Sequence, residues 1–245
     1  RVAGQGAGFR RDALMALLDC PDLRDLPLVY GAGFEHDPGL LAEIGRHRRV
    51  LGNTPATLAR VKDPFAFAEA CRHLGIPHPA VASRIPGPAG WLSKRAGGSG
   101  GGHVRPARSR SAGAGRYFQR RVPGRPVSAL FVADGDRALV LGHSVQWTAP
   151  AAGAPFRYGG AFGPVPLPEA LRAPLHAAVA ALVREFGLVG LNSADFLVHG
   201  SRFHLLEVNP RPGATLDLFD DDAAPILDLH LRACTAGLPA AAPRP

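Results

Sequence analysis

A chain of 245 residues, 46% hydrophobic and 20% charged, has the length and apolar content of one large globular domain or two small ones, which excludes a disordered or fibrous protein. No apolar run approaches the ~18 residues of a membrane helix, and three scattered cysteines, Cys20, Cys71 and Cys234, lack the CxxC spacing of a zinc site and the pattern of a disulfide framework. The net charge of +8 raises nucleic acid as a partner, but the basic residues are spread out without interleaved aromatics, and focusing of a small anion explains the sign equally well.

Free thiols and the lack of a signal-peptide pattern point to the cytoplasm. Arg1 stands where an initiator Met is expected, so the native N-terminus is expected upstream. Residues 12–18 read as a helix, 26–31 as a strand ending in Gly31-Ala32-Gly33, 38–47 as an amphipathic helix and 49–52 as a short strand. This is βαβ-like material, too short for a doubly wound sheet, and the lone Gly-Ala-Gly is no dinucleotide fingerprint. In Lys62-Asp63-Pro64, Asp63 is placed as a helix N-cap and Pro64 as the first helical residue. Phe65, Phe67, Ala68, Cys71 and Leu74 follow at helical spacing as far as Gly75. Ile76-Pro77-His78-Pro79 then breaks the pattern and marks a boundary between subdomains.

Residues 91–104 combine a strand carrying Lys94 with a run of glycines from Gly97 to Gly102, interrupted by Ser99. Glycine lets successive backbone N–H groups approach phosphate oxygens, although the order is not that of a Walker A loop. Residues 105–115 read as a loop and 116–124 as a strand entering the Pro123-Gly124 turn. Residues 127–134 and 137–147 form a hairpin about Asp134-Gly135-Asp136, and 167–186 a helix ended by Gly187. Gln146, Trp147, Arg157 and Gly159-Gly160 are candidates for a substrate side, but ordinary sheet and loop structure is the favoured reading. His36, His78, His103, His143 and His204 lack metal-ligand spacing and read as ordinary surface or core residues.

The last hairpin is the most informative stretch. Apolar runs 194–198 and 203–208 flank a polar segment centred on Ser201, which sets Asp195 opposite Glu207, with Asn209 one step further on the same face. Like charges across a strand pair repel. A cation between them would reverse the sign, and two carboxylates with an amide oxygen suit magnesium. Two solvated acids on a hairpin are the alternative. Of 28 basic residues only Lys62 and Lys94 are lysines, so both are candidates for positions where a compact ammonium must meet phosphate and arginine will not serve.

The order of these features resembles the ATP-grasp superfamily over about residues 28–235. The most specific part is Glu207-Val208-Asn209-Pro210-Arg211 with Asp195 twelve residues upstream. The resemblance implies an α+β ATP-grasp fold of two subdomains gripping ATP, preceded by a partial α/β segment. On this division 1–52 is that segment, 53–118 the small subdomain with its lid, 119–237 the large subdomain with the metal site, and 238–245 a tail. Asp195, Glu207 and Asn209 match the magnesium ligands, with manganese as an admissible substitute, and Lys62 and Lys94 match the lysines on the ATP phosphates. Gly98, Ser99, Gly100, Gly101 and Gly102 match the lid. Gln119, Arg120, Arg121 and Val122 match the linker that meets adenine largely through its backbone. Arg211 matches the arginine at the transferred phosphate.

Asp195 stands where Glu is commoner and Gln119 where Glu is frequent, and the N-terminal segment looks truncated, which leaves carboxylate binding there in doubt. The implied reaction is ligation of a small-molecule carboxylate to an amine through an acyl phosphate, with no nucleic acid or membrane partner; a homodimer is compatible with it. Residues 209–219 are similar to ATP-grasp proteins of methylotroph one-carbon metabolism linked to tetrahydromethanopterin and methanofuran, which implies an amino-acid or glutamate ligation in cofactor synthesis. A catalytically silent nucleotide-binding module and a basic nucleic-acid-binding protein are the competing classes.

Overall fold

Caps and prolines set the N-terminal elements. The computed structural model describes residues 10–220 and 225–238; residues 1–9 of the N-terminal segment and 239–245 of the expected tail lie outside the described residues. Helix α1 (Arg11–Leu18), strand β1 (Leu28–Val29), helix α2 (Pro38–Ile44) and strand β2 (Val50–Leu51) come first, and β1 pairs in parallel with β2. Asp37 caps α2 by accepting the Leu40 N–H at 3.0 Å. That helix ends three residues before the expected 47, because Gly45 forms its C-cap. Tyr30, Phe34, Leu41, Ile44 and Leu58 make a local core.

Two short helices follow where one was expected: α3 (Pro55–Lys62) and α4 (Pro64–His73). Thr54 caps the first and Asp63 the second, accepting the Phe65 and Ala66 N–H groups at 2.8 and 3.0 Å. The Asp63 N–H meanwhile closes the last turn of α3 on the Ala59 carbonyl. Lys62 is therefore held at a rigid helix end.

Strands β3 (Val81–Ala82), β4 (Trp91–Arg95), β5 (Arg105–Pro106) and β6 (Arg116–Arg120) form an antiparallel sheet in the order β3-β6-β4-β5. Strand β5 lies inside the stretch read as loop; its two residues pair with Leu92 and Ser93. This sheet has a small core of its own, Ile85, Ala107 and Phe118.

The second sheet is larger. Its strands are β7 (Arg125–Asp134), β8 (Ala138–Thr148), β9 (Tyr158–Phe162), β10 (Val189–His199) and β11 (Arg202–Asn209), in the order β11-β10-β7-β8-β9. Helix α5 (Glu169–Phe186) buries Leu175, Val179 and Leu182 against Ala129, Phe131, Ala194 and Phe196 on one face. Helix α6 (Ile226–Thr235) sets Ile226, Leu229 and Ala233 against Leu130, Val132 and Leu191 on the other. Alternate residues of β7 thus serve opposite layers, so the strand reads as an almost unbroken apolar run. Val61, Phe67, Cys71 and Ile76 join the α5 core. Helix α4 and Val61 of α3, placed by the sequence with the small subdomain, thus pack on the large sheet's core, while Leu58 of α3 packs in the N-terminal core.

Helix α6 covers only one end of its face. At the other end the same period of two presents Ser128, Ser193 and Asp195, and Glu207 stands directly across from Asp195. The hairpin closes through Gly200-Ser201, with His199 opposite Arg202. Counted from that two-residue turn, Asp195 would face Leu206. The register shift next to Asp195 and Phe196 makes Leu206 the extra residue of a bulge and restores Glu207 to the position opposite.

Candidate active site

The three residues expected to hold metal and one of the two lysines meet on this open face. Asn209 donates through Nδ2 to Asp195 Oδ2 at 3.0 Å and accepts at Oδ1 from Lys62 Nζ at 2.9 Å. Lys62 Nζ lies 3.8 Å from Glu207 Oε2. In this arrangement the repulsion between the facing acids is answered by the ammonium at the end of α3. Gln146 donates from β8 to Asp195 Oδ1 at 3.1 Å, so it belongs to the site. Trp147, by contrast, covers Gly159 and Gly160, where a Cβ would come within 2.4–2.8 Å of its ring; that is sheet packing, as favoured.

The two acids differ in electrostatics. Burial and the neighbouring Glu207 push the Asp195 carboxyl up, against Ser128, Lys62 and Gln146. Burial also pushes Glu207 up, but Lys62, Lys94, His103 and Arg211 more than offset it, and its carboxyl lies below the ordinary range. The Glu207 side chain keeps 34% of its exposure, so a ligand can reach it.

Lys94 stands on β4, in register with Tyr117 of β6. It is 7% exposed; its Nζ donates to Gln119 Oε1 at 3.2 Å and lies 5.9 Å from the Tyr117 ring centre. Tyr117, Gln119, His78 and Lys62 line a gap of about 30 Å³ that ends on Leu206 and Glu207. That is room for a water, so a ligand of nucleotide size requires the small sheet to lift from the large one.

Gly97 and Gly98 border the gap that ends on Glu207, and the glycines after them lean on the large sheet. The Gly100 carbonyl accepts the Tyr158 N–H at 2.9 Å. Gly101, at φ +67°, lies so close to the turn before β9 that a Cβ would come within 2.0 Å of the Phe156 carbonyl oxygen. Gly97 approaches the Glu35 carbonyl as tightly, whereas Ser99 is exposed. Gly98 and Gly102 sit beside His103, whose Nδ1 is buried without a hydrogen-bond partner among the described residues. His103 was read as ordinary; it lies in the loop and in the field of Glu207.

In the linker, Gln119 is buried and Arg120 turns outward, its guanidinium 5.6 Å from the Trp91 ring centre. The N–H groups of Arg120 and Arg121 bond to the Ala80 and Gly90 carbonyls, so those two donors are committed inside the small sheet. Half-buried Val122 follows, in the crossing from β6 to β7.

Arg211 is buried and ion-paired: its Nε donates to Glu35 Oε1 at 2.6 Å, and Glu35 Oε2 accepts the Gly33 N–H at 2.7 Å. Burial pushes the Glu35 carboxyl up, but Arg211 and Lys62 bring it below the ordinary carboxylate range. Sequence reasoning missed Glu35, a lone acid after a Gly-rich turn. Its only signal is an acid between Phe34 and His36 with no helical or strand period around it.

The donor set fits a hard divalent cation. Two carboxylates and an amide oxygen share one face, and Gln146 and Ser193 contact Asp195 and Asn209 as orienting partners. No group of three or more His, Cys, Asp or Glu with metal-binding geometry occurs among the described residues, so any such site depends on Asn209.

The family model described as ATP-grasp domain matches residues 61–215, more than half of the chain. Among solved structures, the chain is similar to biotin carboxylase from Campylobacter jejuni, described as a β,γ-ATP complex (TM-score 0.73, 15% identity, covering 94% of this chain and 59% of that one). It is similar to the biotin carboxylase domain dimer of Hydrogenobacter thermophilus 2-oxoglutarate carboxylase, described with MgADP and bicarbonate (0.74, 12%, 94% and 57%). It is also similar to pyruvate carboxylase from Rhizobium etli (0.76, 15%, 92% and 23%). The chain thus spans less than two thirds of each of these proteins, and the likeness is one of fold. No curated protein matches its sequence.

Proposed function

The chain belongs to the ATP-grasp family and has the ATP-grasp fold, and from that premise we propose that it is an ATP- and magnesium-dependent ligase joining a small carboxylate to an amine. The observation that carries this reading is the meeting of Asp195, Glu207 and Asn209 on one face with Lys62 among them. Asp195, Glu207 and Asn209 would hold magnesium, or manganese in its place, which when bound screens the triphosphate charge.

Lys62 and Lys94 then neutralise the remaining phosphate charge. A substrate carboxylate oxygen attacks the γ-phosphorus, the bond to the β-phosphate oxygen breaks, and ADP leaves. The amine attacks the carbonyl carbon of the acyl phosphate; inorganic phosphate departs with the bonding pair, and the nitrogen loses a proton. Arg211, oriented by Glu35, stabilises charge on the transferred group. The 98–102 loop excludes water that would otherwise hydrolyse the acyl phosphate, and Gln119 to Val122 face adenine.

In this reading 1–52 is a partial N-terminal segment, and 53–118 and 119–237 are the two grasping halves. A homodimer is compatible with it. An amino-acid or glutamate ligation in one-carbon cofactor synthesis is its narrower form, supported by the character of residues 209–219. The test is phosphate release from ATP and magnesium across a panel of acids and amines. Glu207→Gln is expected to abolish release while the far-UV circular dichroism stays unchanged. Release that survives this substitution rejects the metal assignment.

A further inference from the structure

A cavity much larger than the gap at Glu207 opens among the described residues. It holds about 1210 Å³ and lies behind the glycine-rich loop, between α1 and the small sheet. Side chains alternate across a strand, so Arg95 points away from the face of β4 that carries Lys94, and the cavity opens on the reverse side. Arg95, Gly97 and Gly98 border both this cavity and the small gap at Glu207, so the two adjoin across the root of the glycine-rich loop.

The two walls differ in chemistry. Helix α1 supplies an apolar one, with Leu14 and with Leu17 at 49% exposure. The small sheet and its loops supply Arg95, Arg105, Arg108 and Arg116, and among the described residues no Asp or Glu lines the space. None of these four arginines forms an ion pair among the described residues; Arg10, at the rim, pairs with Asp12. Two of the guanidinium groups are fixed by neutral acceptors. Arg116 donates to Ser93 Oγ at 2.9 Å and to the His103 carbonyl at 3.0 Å, and Arg105 to the Gly102 carbonyl at 2.6 Å. Burial, then the charges of Arg105 and Arg95, push the Arg116 guanidinium down.

Like charges gathered in a half-enclosed space repel, and nothing in the lining relieves them. An oxyanion does, and the planar fork of arginine suits phosphate and carboxylate alike. The volume suits a molecule at least as large as a typical small-molecule ligand. We infer that this cavity binds a small, multiply charged oxyanion with an apolar body, the body lying on Leu14 and Leu17 and the charged end on the arginines, on the far side of the glycine-rich loop from Glu207.

The test is titration of the full chain with 8-anilinonaphthalene-1-sulfonate, an aryl sulfonate with both features, followed by fluorescence without ATP. Saturable binding is expected. Tripolyphosphate and citrate serve as competitors, and the stronger one identifies phosphate or carboxylate as the native head group. Arg108→Glu and Leu17→Asp, exposed positions on opposite walls, should each weaken binding tenfold or more, with unchanged circular dichroism. Glu207→Gln should bind as the wild type does. Wild-type affinity in both wall variants overturns the inference. So does loss of binding in Glu207→Gln, which would move the probe to the acidic site. Displacement by an unrelated oligonucleotide as effective as tripolyphosphate would show a general polyelectrolyte surface and overturn it too.

Discussion

The five-stranded sheet has a helix on each face and leaves Phe131, Val132, Leu191 and Leu205 with no exposure, whereas the four-stranded sheet rests on Ile85, Ala107 and Phe118 and carries the glycine run beyond β4. The acids stand on the first, and Lys94 and the loop on the second. A pair of facing, half-buried carboxylates needs a frame that does not relax, because relaxation would separate them from each other and from the Lys62 ammonium. A loop that must admit a ligand is drawn from the less stable part of a fold. Chemistry and access are thus divided between a thick sheet and a thin one.

Four measurements would break or sharpen that contrast. The largest effect is expected from Phe131→Ala, which should cost about 3–5 kcal/mol and lower the urea midpoint of the whole chain. Phe118→Ala should instead leave that midpoint in place and open residues 84–116 to protease. Equal shifts in the main transition would show that the sheets unfold as one.

The second tests the thick sheet through His143 of β8, stacked on His176 of α5 with ring centres 5.1 Å apart. Burial, then His176 and Arg172, push the His143 imidazole down to about 4. Between that value and the ordinary ~6.5 the unfolded chain binds the proton and the folded one does not, so stability falls as pH drops through this window. Roughly 2–3 kcal/mol should be lost between pH 7 and pH 4.5. Denaturant melts of His143→Gln should show a flatter pH profile; an unchanged slope would place the acid sensitivity elsewhere.

Third, Lys62→Met removes the ammonium from between the acids. It should cost about 2 kcal/mol, less than for a fully buried pair because Glu207 is partly open. Millimolar magnesium should recover much of the thermal midpoint. Recovery by sodium at equal ionic strength would mean screening, not a site. The smallest effect on global melting is expected from Gly101→Ala, which strains a positive φ and drives a Cβ into the Phe156 carbonyl, so that the loop gives way locally. Its readout is faster proteolysis within 97–104 with little change in global melting.

Much of the thick sheet was legible because its information is local. The period of two set Asp195 against Glu207, and the apolar spacing of α5 and the glycine after it marked that helix. Even there the outcome depended on a bulge at Leu206 that no residue pattern announces. The start of α4 at Asp63 and Pro64 was legible, but α3 before it was hidden, because it is short and weakly amphipathic, with only Leu58 and Val61 buried. Glu35 was hidden for another reason: its partner Arg211 lies 176 residues away, and only the folded chain joins them. Gln146 reads like any polar residue in a strand until β8 is placed beside β7 and β10. The arginine cavity has the same character, since its apolar wall and its charged wall come from different parts of the chain.

The hydrogen bond from the Tyr158 amide to the Gly100 carbonyl carries a temporal consequence. While it is made, the loop ties the small sheet to β9 of the large one, and under the proposed function the doorway a nucleotide needs stays shut until it parts. Association measured against rising nucleotide concentration should therefore climb and then level off at the frequency with which the doorway opens. One backbone contact, worth about 1 kcal/mol, would then act as the clock for the first step of turnover.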